Sequence, residues 1–175
     1  MITYEIKVLN CQAVVSNFKN HNELKKQILD GLVGSPFMNV SLTDWNLPRD
    51  TERPYIQTLI EPLKQHMSEV YSALGYTAFG FVNIWAQQYE QNSTHEWHTH
   101  DSCNFTNIYY VELPEGTPTT EFIDPVTKNI LSFKTSEGDI LTIPSTFIHR
   151  SPPNPSKNRK TIISFNTNAY CSVPE

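Results

Sequence analysis

Hydrophobic positions along this chain change their spacing once, near Gly75. Ahead of it, Ile2, Tyr4, Ile6 and Val8 alternate loosely and are followed by Val14 and Val15, which predicts one or two strands in the first 15 residues. Leu24, Ile28, Leu29 and Leu32 then lie on one stripe of a helix from about Asn22 to Leu32, with Gly34 near its end. The stretch from Ser35 to Asp50 has no period and reads as loop. A longer helix is predicted from about Arg53 to Leu74, where Ile56, Leu59, Ile60, Leu63, Met67, Val70, Tyr71 and Leu74 keep helical spacing up to Gly75. Pro62 falls inside it and is expected to kink it, because proline removes one backbone donor and crowds the preceding turn.

Beyond Gly75 the pattern becomes short and strand-like: Ala78 to Gln88, Trp97 to His100, Asn107 to Leu113, Glu121 to Ile123, Ile130 to Phe133, Ile140 to Ile143 and Thr161 to Asn166. Turn residues separate these runs, among them Pro114-Glu115-Gly116, Asp124-Pro125 and Glu137-Gly138-Asp139. Many short strands at this spacing predict a mainly β (α+β) fold with a jelly-roll core. One domain over residues 1–175 is expected, with 1–75 supplying a strand and supporting helices and 76–175 the β core.

Composition narrows the class. Apolar residues make up 38% of the chain, enough for a packed core. With 13 Lys and Arg against 18 Asp and Glu, the net charge of −5 opposes a nucleic-acid partner, whose phosphates require a basic excess. No apolar run reaches the roughly 20 residues of a membrane span, and Met1 to Lys7 has no basic-then-apolar leader pattern. Cys11, Cys103 and Cys171 are scattered, which makes a poor disulfide framework. A cytoplasmic, reducing location is expected.

Histidines carry the candidate chemistry. His98-Thr99-His100 would present two imidazoles on one face of a strand, and His149 is the only histidine in the later β region. Three such ligands suit iron, zinc, copper or nickel. Asp101 is the alternative carboxylate ligand if a bulge turns it inward, and otherwise an orienting partner for an imidazole. His95 has the wrong strand parity for the same ion and reads as a loop residue. Arg159 stands ten positions after His149 and shares a strand face with Thr161. A guanidinium and a hydroxyl pointing together into the barrel would grip a carboxylate.

Taken in order, several segments resemble the 2-oxoglutarate/iron(II) oxygenase superfamily in its prolyl-hydroxylase-like branch. They are Phe81-Val82-Asn83-Ile84-Trp85, His98-Thr99-His100, Ile108-Tyr109-Tyr110-Val111, Gly138-Asp139-Ile140-Leu141 and Arg159-Lys160-Thr161, covering about half of the chain. The sequence also resembles a group of small oxygenases of that superfamily with H-x-H in place of the commoner H-x-D/E. This resemblance implies a double-stranded β-helix and a ferrous ion on His98, His100 and His149. It also implies 2-oxoglutarate as co-substrate with O2, its far carboxylate held by Arg159, Thr161 and Tyr110, and Tyr89 lining the site. The departure is His100, which makes the ligand set one unit more positive than a carboxylate would. Oxidative hydroxylation of a small-molecule or peptidyl substrate is the activity implied. Two other classes stay open: a cupin-type metal dioxygenase or isomerase that needs no 2-oxoglutarate, and a non-catalytic binding module on the same barrel. The loop around Asp44 and Trp45 is a candidate cover for the site mouth.

Overall fold

Two antiparallel sheets, one of seven strands and one of four, form the body of the protein. The computed structural model describes residues 12–171; the strand expected over Ile2, Tyr4, Ile6 and Val8, and Cys11, lie outside them. The chain runs β1 (Val14–Asn17), α1 (His21–Asp30), β2 (Ser35–Phe37), β3 (Val40–Thr43), α2 (Pro54–Ala73), β4 (Ala78–Tyr89) and β5 (His95–His98). It continues through β6 (Phe105–Glu112), β7 (Glu121–Ile123), β8 (Ile130–Ser132), β9 (Asp139–Pro144), β10 (His149–Ser151) and β11 (Lys160–Tyr170). The large sheet has the order β1-β9-β6-β11-β4-β3-β2 and the small one β5-β10-β7-β8.

Period-two alternation divides the apolar residues between two cores. Tyr109, Val111, Ile140, Ile163 and Phe165 leave the large sheet on its outer face and pack beneath Leu24 and Ile28 of α1 and Leu59, Leu63 and Met67 of α2. Their neighbours Ile108, Tyr110, Leu141, Ile143 and Ile162 point to the inner face. Each fully buried aliphatic on the α2 stripe contributes about 1.5–3 kcal/mol, so the helices are fixed to the sheet by burial. The sequence therefore yields a mainly β fold with two supporting helices, as expected. Among the described residues no helix is long and apolar enough to cross a membrane.

The segment expected to be loop, Ser35 to Asp50, instead contains the β2–β3 hairpin, which joins the large sheet beside β4. Its turn is made by Met38 at φ 51°, a left-handed conformation that sequence period does not reveal. Asp44, which follows, is buried. It accepts from the Ala86 amide at 2.7 Å, the Tyr55 hydroxyl at 2.7 Å and Arg53 Nε at 2.8 Å, and so pins the hairpin exit to β4 and to the start of α2.

Candidate metal centre

The inner face of β4 and β11 is polar, and that face builds the site. Antiparallel pairing puts Asn83 opposite Asn166, Trp85 opposite Ser164, Gln87 opposite Ile162 and Tyr89 opposite Lys160. Directly paired residues share a side of the sheet. The small sheet covers this wall, bringing His98 on β5 beside His149 on β10 as Cα partners.

His98, His100 and His149 converge, with their ligand atoms all within 4.8 Å of one another. His98 Nδ1 donates to the Glu96 carbonyl at 2.7 Å and His149 Nδ1 donates to the Phe147 carbonyl at 2.8 Å. A carbonyl only accepts, so in both rings the proton sits on Nδ1 and the Nε2 lone pair is free for an ion. His100 Nε2 is buried and without a hydrogen-bond partner. A buried polar nitrogen left unpaired is costly in isolation and fits a bound metal.

All three rings are held neutral. Burial, then the neighbouring His98, pulls His149 down to about 3, against the Phe147 carbonyl. The same causes take His100 to about 4, while Asn166 and Asp101 oppose them. His98 is lowered by burial and raised in part by the Glu96 carbonyl. Neutral imidazole is the ligating form, so no proton has to be displaced near pH 7.

His100 does not share a strand with His98, as H-x-H periodicity predicts. Strand β5 ends at His98, and the His100 amide donates to the Ser145 carbonyl at 3.0 Å, so His100 reaches the centre from the loop. Asp101 is exposed at the pocket rim and stands outside the convergent set. His95 differs from its expected place. It begins β5, where a bulge sets the three residues of β10 from His149 to Ser151 against the four of β5 from His98 to His95. That extra residue reverses the parity. The His95 ring consequently lies 4.1 Å from that of His98 and lines the site, with burial lowering it to about 4.

Arg159, just ahead of β11, and Thr161 within it share a face, but it is the outer one. They alternate with Lys160 and continue the row of Ile163 and Phe165, whose apolar side chains belong beneath the helices. Arg159 makes a forked pair with Glu112, Nε to Oε2 at 3.0 Å and Nη2 to Oε1 at 3.0 Å, and the Thr161 hydroxyl donates to the same carboxylate. Glu112 thus takes the role expected of a co-substrate carboxylate.

Lys160 points inward instead. It is 1% exposed and is the only lysine or arginine buried among the described residues. Its Nζ donates to Ser151 Oγ at 2.6 Å and to the Pro118 carbonyl at 3.0 Å, and lies 4.6 Å from the centre of the Tyr89 ring. Burial lowers it to about 7. Tyr110 lies on the same inner face, its hydroxyl donating to Thr120 Oγ1 at 2.9 Å and accepting from the Thr120 amide at 3.1 Å. Burial raises the pKa of both Tyr89 and Tyr110, so both stay protonated.

Two spaces meet the histidines. A chamber of about 20 Å³ lies on the Lys160 side, lined by Tyr89, Thr120, Ser151 and Ile162 among others. On the other side a pocket of about 250 Å³ opens to solvent past Trp45, Trp85 and the hairpin residues Phe37 and Met38. Trp85, which its apolar strand context assigns to core packing, lines both spaces and stacks on His100 with ring centres 5.7 Å apart.

No family model and no curated protein matches the sequence. Solved structures match its shape. A viral collagen prolyl hydroxylase from Paramecium Bursaria Chlorella virus-1, in a 2OG complex, aligns with TM-score 0.55 at 15% identity over 93% of this chain and 96% of that one. A prolyl-4-hydroxylase from Pseudomonas putida aligns with TM-score 0.60 at 10% identity over 93% and 94%. AviO1 from Streptomyces viridochromogenes Tue57 gives 0.63 at 14% identity over 93% and 91%. At such identities the likeness establishes the fold alone, the double-stranded β-helix. The three histidines fit an H-x-H…H arrangement on it.

Proposed function

We propose that this protein is a non-haem iron(II), 2-oxoglutarate-dependent oxygenase of the hydroxylase type. The convergence of His98, His100 and His149 inside the barrel carries the reading, because it gathers three imidazoles about one point, with His98 and His100 also lining an open pocket. Ferrous iron with a 2-oxo acid and O2 supplies hydroxylation of a substrate C–H bond, the acid leaving as succinate and carbon dioxide. Three neutral imidazoles leave a divalent ion with its full charge, which a dianionic co-substrate balances.

The residues divide the remaining work. Glu96 and Phe147 carbonyls orient His98 and His149. Lys160, bonded to the Ser151 hydroxyl, takes the far carboxylate in place of Arg159. The pocket side, walled by Trp45 and Trp85, receives the substrate and excludes water from the reacting atoms. As it stands the inner chamber has room for about one water. Entry of a five-carbon acid therefore requires Lys160 to release Ser151 Oγ and the chamber walls to part.

That closed chamber also favours a second reading, a three-histidine oxygenase or isomerase that uses no 2-oxo acid. The two separate in one assay. Protein reconstituted with Fe(II) under air is followed by NMR for 2-oxoglutarate and succinate, beside His149→Ala and Lys160→Met. The oxygenase reading expects slow uncoupled succinate formation that both substitutions abolish. Oxygen uptake with 2-oxoglutarate untouched contradicts it and selects the second reading.

A further inference from the structure

The pocket on the solvent side of the histidines holds almost no charge. Apart from its neutral histidines, Asp101 at the rim is the one ionisable side chain that lines it. Its volume of about 250 Å³ is below the roughly 300–1,000 Å³ of drug-sized sites, so it admits one ring or side chain with short substituents. Aromatic faces run from its mouth to the metal centre. Trp45 is exposed and meets the buried Trp85 edge to face at 4.8 Å, and Trp85 in turn stacks on His100.

Two carboxamide oxygens on the pocket wall lack hydrogen-bond partners. Asn83 and Asn166 oppose each other across β4 and β11 and both line the pocket. The Oδ1 atoms of both are buried with no hydrogen-bond partner, and Asn166 is 4% exposed. Gln87 on the same wall is occupied, its Oε1 accepting from Ser164 Oγ at 3.1 Å and its Nε2 lying 3.4 Å from His95 Nδ1. The Asn166 side chain also lies within reach of the His100 ring and supports its basicity; its Oδ1 completes no well-formed hydrogen bond there, and that contact does not account for Asn83. Buried amide oxygens left unpaired bear their full desolvation cost until a donor arrives. Both oxygens call for hydrogen-bond donors, and a pocket with so little charge suits donors on a neutral molecule.

We propose that the pocket selects a neutral, planar, N–H-bearing substrate, a primary carboxamide or a cyclic imide of the pyrimidine-base kind. Its N–H groups would meet Asn83 and Asn166 while its plane packs on Trp45 and Trp85. This rests on the histidine centre being where the reaction takes place, but binding itself requires neither iron nor a 2-oxo acid.

The full, metal-free chain is titrated with nicotinamide and with uracil, followed by tryptophan fluorescence and calorimetry. Nicotinate adds a charge to the same ring; methyl nicotinate and N,N′-dimethyluracil remove the N–H groups. The proposal expects the two parent probes to bind and the three analogues to bind at least about tenfold more weakly. Asn83→Ala and Asn166→Ala should each weaken the parents by about tenfold. Equal binding of a capped analogue, or no binding of either parent up to its solubility limit, overturns it. So does an Asn166→Ala protein that loses metal affinity while keeping the probes, since Asn166 would then only position His100. The analogue comparison uses the unaltered chain, so a variant that fails to fold leaves the test intact. Amide selectivity without 2-oxoglutarate turnover removes the oxygenase reading alone; turnover without amide selectivity removes this inference alone.

Discussion

Lys160 and the histidines respond to pH in opposite directions, and each response reports its role. Lys160 is lowered to about 7 by burial, so its ammonium form declines as pH rises through that value. A co-substrate carboxylate needs the ammonium form. Its affinity is expected to fall by up to about tenfold for each pH unit above 7, and Lys160→Met should weaken binding and remove its pH dependence. Competition by 2-oxoglutarate against a fluorescent oxo-acid analogue, read across pH 6–9, checks this. For His95, His100 and His149 the folded values of about 4, 4 and 3 lie below the ordinary 6.5. Between those values the unfolded chain binds more protons, so stability is fully present above about 6.5 and is lost as pH falls towards 4. Thermal melts of the metal-free protein should show Tm dropping across that window. His149→Gln should make the drop shallower.

At the scale of elements, the Asp44 anchor holds the β2–β3 hairpin and Trp45 against β4. Its carboxylate is fully buried and paired with Arg53. Asp44→Ala leaves that guanidinium unpaired and is expected to cost about 3–5 kcal/mol, measured by denaturant unfolding, with Trp45 emission shifting to the red. On α2, Leu63→Ala should cost about 2–5 kcal/mol by opening a cavity under the sheet. Arg159→Ala, by contrast, should cost stability by orphaning Glu112 while sparing co-substrate binding.

These elements also show what the sequence makes legible. Helical spacing places α1 and α2 to within about two residues, the usual uncertainty of helix ends, because their buried stripes are long. Most of the core strands are found as well. The β2–β3 hairpin escapes because its turn depends on one residue at positive φ rather than on glycine or proline. His95 escapes because a bulge reverses parity, and bulges leave no periodic trace. The inward face of β11 is readable: Lys160, Ile162, Ser164 and Asn166 form the more polar row, with Ile162 its one apolar member, while Thr161, Ile163 and Phe165 form the row that suits the helices. Motif order drew attention to Arg159, and alternation alone points to Lys160.

Across the whole molecule, the centre exists only where the two sheets meet. The small sheet and the loop behind it supply His98, His100 and His149, and the large sheet supplies Lys160, Tyr110, Trp85 and the paired asparagines. Metal binding should therefore tie the sheets together and raise Tm by mass action, since the unfolded chain lacks the convergent set. Anaerobic addition of Fe(II) and then 2-oxoglutarate to the metal-free protein tests the central claim most directly, with the visible spectrum watched for the charge-transfer band of a chelated 2-oxo acid. The proposed oxygenase reading expects a band that requires the metal, disappears in His149→Ala, weakens in Lys160→Met and persists in Arg159→Ala. Iron that binds the three histidines and gives no band with 2-oxoglutarate would contradict it.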